Sequence, residues 1–345
     1  MPREPKPRID YLDSLKGFAI ILVVLGHICA GYNAAQMYFS AKDVLDSIHK
    51  AVYMFHMPLF MTISGYVFRM AYFSDEGEPQ RSRIFWQALN LVLTCILFSA
   101  MLGLAKMVAI RYTNSVTTLR DILLIPVRPI SPYWYLYALA TSYIVFSLRG
   151  ALLCRLWPVV LLPALALVSF WSDAVTDAWF EIGKSLYYFF FFALGINLRR
   201  TEKSFSLNYI YTLIFGVVAT VLVVRFWHDG RHIDTIPVVN LVVGASFTLF
   251  FWGAFSNIRF LAKNQALCLV GRYSLEIYVL HCVFTAGHRA VLPQLGVENA
   301  FTGTVLNLIN SVLISILLAA ACKRFGVHTL IFKPVSYFRR KVMLY

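Results

Sequence analysis

The strongest constraint in this chain is a series of apolar stretches, each close to the length that crosses a bilayer. Ten can be read, at about 15–34, 50–72, 84–106, 133–149, 156–172, 183–198, 208–227, 237–256, 266–290 and 302–322. A helix rises ~1.5 Å per residue, so about 20 apolar residues cover the ~30 Å hydrocarbon core. Backbone in lipid must satisfy its hydrogen bonds internally, which selects helices for such stretches. The expected fold class is therefore all-α: a polytopic membrane protein with about ten transmembrane helices. Composition agrees, because 59% of the 345 residues are hydrophobic and only 14% charged, where a soluble domain carries about 25% charged residues. No repeat or low-complexity linker divides the chain, so 1–345 is expected to form one integral-membrane domain.

The net charge of +14 invites a nucleic-acid partner. The positions of the cations argue for a lipid bilayer instead, with no nucleic acid. With ten spans and a cytoplasmic N-terminus, 21 of the 31 Lys and Arg residues fall in the segments on the cytoplasmic side, as the excess of cations in cytoplasmic loops requires. Both termini are thus expected in the cytoplasm, and the location in the plasma (inner) membrane, multi-pass. The N-terminus has the outline of a signal peptide, with small residues near Cys29, Ala30 and Gly31. An uncleaved helix is preferred, because a discarded segment has no use for the paired Lys16 and His27. The six cysteines show no metal-like spacing and read as buried thiols.

That pair carries the first functional signal. Charges end at Lys16, an apolar run follows, and His27 stands inside it. Ionisable groups within a span are costly and usually functional. Eleven residues make about three helical turns, so Lys16 and His27 share one face, roughly 16 Å apart along the axis. A cation at the edge and a base near the midplane suit a long substrate with an anionic head and a reactive tail, such as acyl-coenzyme A. The plainer alternative is a snorkelling lysine plus a histidine hydrogen-bonded within the bundle.

Three further runs follow in order. Phe55-His56-Met57-Pro58-Leu59-Phe60 leads into Ser64-Gly65-Tyr66, with Pro58 expected to kink the helix and Ser64-Gly65 to admit a close neighbour. Ser131-Pro132-Tyr133-Trp134-Tyr135-Leu136 opens the fourth span; Trp134 is either an interfacial anchor or a wall of the substrate path. Gly271-Arg272-Tyr273-Ser274-Leu275-Glu276 runs on to His281 in the ninth. Arg272 precedes Glu276 by four residues, so the two are expected to pair along one helix. His281 should lie at a depth similar to His27, either binding an acceptor or simply hydrogen-bonded. The loop residues His228, Asp229 and His232 lack a third ligand, and no metal site is expected there.

Together these runs resemble the membrane-bound acyltransferase-3 family, over almost the whole chain. The family's Arg-x10-His hallmark stands here as Lys16-x10-His27, so the basic position departs from the pattern. Lysine keeps the charge but loses the planar fork that suits phosphate. The phenylalanine-rich Ser-Gly-Tyr run and its Phe-His-Met-Pro lead-in are similar to those of sugar O-acetylases. The resemblance implies transfer of an acyl group, usually acetyl from acetyl-CoA, to a hydroxyl of a cell-surface or lipid-linked glycan. It implies His27 as general base, Lys16 with Arg69 and Arg81 as donor-phosphate ligands, and Ser64, Tyr66, Trp134, Tyr273, Glu276 and His281 as residues lining the acceptor site, with no metal. A transporter or flippase for a glycan or small anion is the rival class, since basic residues at one mouth and a buried histidine also suit a permeation path.

Overall fold

A computed structural model of the chain describes residues 9–74, 77–108, 116–130, 132–156, 182–201, 208–228 and 237–342. The expected span at 156–172 lies almost wholly outside them, as do Ser131, the acidic loop with Asp173, Asp177 and Glu181, and the loop with Asp229 and His232. The described residues form helices and contain no strand.

α1 (Asp10–Ala34) runs as one helix through both Lys16 and His27. Asp10 and Asp13 lie in its first turn, where a negative charge complements the helix dipole. α2 (Lys42–Tyr53) and α3 (His56–Tyr72) return toward the start of α1. They are followed by α4 (Arg81–Val108), the short α5 (Leu119–Leu123) and α6 (Trp134–Leu156). Next come α7 (Ile182–Thr201), α8 (Tyr209–His228) and α9 (Pro237–Asn257). The short α10 (Arg259–Ala262) and α11 (Gln265–Arg272) lead to α12 (Ser274–Val291) and α13 (Ala300–Arg324). Two short helices, α14 (His328–Phe332) and α15 (Pro334–Val342), close the chain.

Five helical segments are long and apolar enough to cross a membrane: Asp10–Ala34, Phe39–Tyr72, Arg81–Val108, Val238–Asn257 and Ala300–Arg324. A sixth is added if Gln265–Arg272 and Ser274–Leu295, bent by 80° to one another, count as one span. Trp134–Leu148 and Tyr209–Arg225 are shorter apolar helices. Outward rows such as Leu213, Val217, Val221 and Val224 on α8, and Ile309, Leu313 and Leu317 on α13, are exposed. Apolar rows of this kind belong against lipid. The described residues are thus helical, and the five to six candidate spans among them are those of a polytopic membrane protein.

Three local expectations change. The stretch between the first two apolar runs, whose Lys42, Asp43 and Asp46 read as a polar loop in the sequence, is helical and forms the start of α2, with Leu45 and Val52 turned inward. The kink expected at Pro58 falls earlier, at Met54 and Phe55. Pro58 sits in the first turn of α3, where a missing N–H removes no intrahelical bond. The ninth span is not one helix: it breaks at Tyr273, between α11 and α12.

α1 is the axis of the bundle, packed against α2, α3, α9, α11, α12 and α13. Two crossings are set by paired glycines. A Cβ on Gly17 would strike the Leu267 carbonyl, and one on Gly271 the Asp13 carbonyl, so α1 and α11 meet backbone to backbone. Gly65 on α3 and Gly195 on α7 do the same against Phe192 and Thr62. Small residues are the usual means of close helix approach in lipid, where van der Waals packing drives association. The Ser64-Gly65 pair thus admits a close neighbour, as its sequence suggested. α7 packs there with Phe68, Tyr143 and Phe192 stacked around it.

Candidate active site

His27 projects from α1 into the bundle and meets His281 of α12, with ring centroids 5.1 Å apart. Seventeen residues of helix separate it from Asp10, roughly 25 Å along the axis. On its other side the Tyr53 hydroxyl, at the end of α2, stands 3.5 Å from His27 Nδ1. Tyr53 is itself flanked by His49 and His56, with ring centroids 4.1 and 4.7 Å away. Among the described residues no Asp or Glu side chain is hydrogen-bonded or ion-paired to His27.

α12 is held around His281 by two hydroxyls. Tyr133 donates to the Val279 carbonyl at 2.7 Å, and Tyr278 donates to the Pro132 carbonyl, so the opening of α6 and the middle of α12 are tied together. His281 Nδ1 lies 2.8 Å from the Tyr278 carbonyl and 3.2 Å from that of Ile277. A carbonyl only accepts, so the proton is on Nδ1 and the Nε2 lone pair is open. Cys282 Sγ lies 3.3 Å from that Nε2. One nitrogen from each of His27 and His281, and the Cys282 sulfur, fall within 4.8 Å of one another. Three such donors match the number a catalytic zinc takes from protein. They are equally a thiol and two bases, the parts of a group-transfer site. No sequence spacing reveals this set, because the fold brings α1 and α12 together. Only the adjacency of His281 and Cys282 was visible.

Ser64 and Trp134 lie on a connected wall. Ser64 Oγ is 2.8 Å from the Tyr135 hydroxyl, whose ring is 5.4 Å from that of Tyr278; Tyr278 in turn lies 6.1 Å from His281. Trp134 stacks on Tyr188 of α7 at 5.2 Å.

The remaining residues gather elsewhere. Lys16 pairs with Asp13 at 3.5 Å, and Asp13 faces Arg272 of α11 at 3.6 Å. The Arg272–Glu276 pair is not formed, because the break at Tyr273 turns Arg272 out of line with α12. Glu276 pairs instead with His328 at 2.7 Å and Lys323 at 3.9 Å, and Lys323 also covers the Tyr273 ring at 3.9 Å. Tyr273 and Glu276 thus belong to a cluster with the C-terminal helices. Tyr66 is held by Tyr11 and Arg199 at 3.4 Å each, an arginine not singled out by the sequence motifs. Arg69 donates to the Gly77 carbonyl at 3.2 Å and stacks on Phe73. Arg81 is exposed at the start of α4. Near the start of α1, a cleft of about 640 Å³ is lined by Asp10, Lys263, Gln265 and Arg272, adding Lys263 to the cations at that end.

Comparison with known proteins fits these features. The acyltransferase domain family, acyltransferase-3, matches residues 9–324. The nodulation protein NolL of Sinorhizobium fredii is 32% identical over 145 residues, 40% of this chain and 36% of the relative. NolL of Mesorhizobium japonicum is 31% identical over 140 residues, 38% of this chain and 33% of the relative. The chain therefore spans about a third of the length of the relatives it matches. No solved structure matches. With the family match running from the start of α1 to the end of α13, the chain belongs to the acyltransferase-3 family.

Proposed function

We propose that the protein moves an acyl group, acetyl in the simplest case, from cytoplasmic acyl-CoA to a hydroxyl of a cell-surface or lipid-linked glycan. The observation that carries this reading is His27: an imidazole inside the bundle, free of any carboxylate partner among the described residues and set against a second histidine. A sugar hydroxyl becomes an effective nucleophile when a base removes its proton during attack, and imidazole performs that step near neutral pH. The Tyr53 hydroxyl beside His27 and the paired Ser64 and Tyr135 hydroxyls supply polar groups suited to a sugar.

The donor would lie along the face of α1. Its phosphates would meet Lys16, Lys263 and Arg272 at the cleft end, with Arg69, Arg81 and Arg199 as further cations on the neighbouring helices. Its thioester would reach inward to His27. We also propose the topology expected from the charge distribution of the sequence: ten spans in a single domain, both termini cytoplasmic, in the inner membrane. Reporter fusions at Pro2 and Tyr345 should both read cytoplasmic; an external signal from either contradicts that topology.

The reaction itself is tested with purified protein in detergent. A transferase consumes acetyl-CoA there, faster when a glycan acceptor is added. A transporter, with no compartments to connect, leaves acetyl-CoA intact.

A further inference from the structure

The reading above needs one acyl group to pass from a donor on one side of the membrane to an acceptor on the other. It assigns no role to Cys282. Yet that thiol sits beside a histidine nitrogen whose lone pair is fixed toward it, since two backbone carbonyls hold the His281 proton on Nδ1. A nucleophile, a base within reach, and a third group orienting the base are the structural signature of covalent catalysis. Cys282 lies halfway along α12 and is partly accessible. His27 reaches the same point from α1.

We infer that Cys282 is the acyl-carrying nucleophile of this protein, so that transfer proceeds through an S-acyl-cysteine in two half-reactions. This inference rests on the acyl-CoA reading. In the first half-reaction Cys282 Sγ forms a bond to the acyl carbon and the donor's C–S bond breaks. The thiol proton moves to His281 Nε2 and from there to the departing coenzyme A thiolate. One thioester replaces another, so the acyl group keeps its reactivity. In the second, the acceptor oxygen bonds to the acyl carbon while His27 takes the hydroxyl proton. The acyl–Sγ bond breaks, and the Cys282 thiolate recovers a proton from His27. The sum is acyl-CoA plus alcohol giving coenzyme A plus ester.

Two half-reactions remove the need for donor and acceptor to occupy the site together. Coenzyme A can leave toward the cytoplasm before the glycan hydroxyl arrives. Tyr278, which bonds α12 to the opening of α6 and faces His281, keeps the histidine in register for both steps.

The test uses the full-length wild-type protein in detergent with isotope-labelled acetyl-CoA and no acceptor. After an acid quench, fragmentation of the Cys282 peptide should show the mass of one acetyl group on Cys282, removed by neutral hydroxylamine. Labelled coenzyme A should also exchange into unlabelled acetyl-CoA without acceptor. Cys282→Ala should lose both signals, and Cys322→Ala should keep them. Label on His27 or His281 instead, or acceptor-dependent turnover with neither label nor exchange, overturns the cysteine and leaves the acyltransferase reading standing. One tightly held zinc per chain, lost in Cys282→Ala, overturns it too by making the thiol a ligand. If no acyl-CoA is consumed with or without acceptor, both readings fall.

Discussion

Two groups of ionisable side chains sit in this bundle, and they are built in opposite ways. At the helix ends, acid meets base. Asp13 stands between Lys16 and Arg272, and Glu276 between His328 and Lys323. Around His27 the neighbours are His281, Cys282 and Tyr53, none of them a carboxylate. The first arrangement neutralises charge and fastens one helix to another: α1 to α11, and α12 to the C-terminal helices. The second leaves lone pairs and a thiol in a place where hydrogen-bonding capacity is costly to leave unused. Paired charges hold the fold; in the proposed reaction the carboxylate-free set around His27 does the chemistry.

The contrast can be broken at its extremes. His27→Ala should lower turnover by roughly 100- to 10,000-fold, the range for losing a general base, while thermal unfolding in detergent stays near wild type. Glu276→Ala should do the reverse. It strands Lys323 and His328 beside a mostly buried position, at a cost on the order of 3 kcal/mol in stability, and should leave turnover per folded molecule largely intact. Equal melting losses in the two variants would erase the distinction drawn here.

Lys16 belongs to the paired group through Asp13, yet it is proposed to meet the donor's phosphates together with Lys263 and Arg272, which line the cleft near the start of α1. Lys16→Ala should raise the KM for acetyl-CoA about tenfold, as expected for one charge-assisted hydrogen bond, with kcat little changed. Lys16→Arg should match or improve on wild type through bidentate phosphate contact. An unchanged KM in Lys16→Ala removes the lysine from the donor site.

Much of this was legible in the sequence because helical periodicity is a local property. It placed Lys16 and His27 on one face of one helix, and His281 at a depth similar to His27. It also marked Ser64-Gly65 as a point of close approach. The failures are tertiary. Arg272 and Glu276 have the spacing of a helical pair, but α11 packs backbone to backbone on α1 through Gly17 and Gly271, and the chain turns at Tyr273. Tyr53 ends α2 just before the break at Met54 and Phe55 and meets His27, a contact between helices that no local spacing shows. Cys282 was one of six thiols in apolar runs until α1 and α12 were seen together.

The measurement that bears most directly on the central claim is the single-turnover rate of purified His27→Gln with acetyl-CoA and a glycan acceptor. Glutamine can keep a hydrogen bond to Tyr53 but cannot take a proton from the acceptor. The account predicts a folded protein with near-normal acetyl-CoA affinity and a transfer rate reduced at least about 100-fold. A near-normal rate in that variant would contradict it, and would move the base to His281.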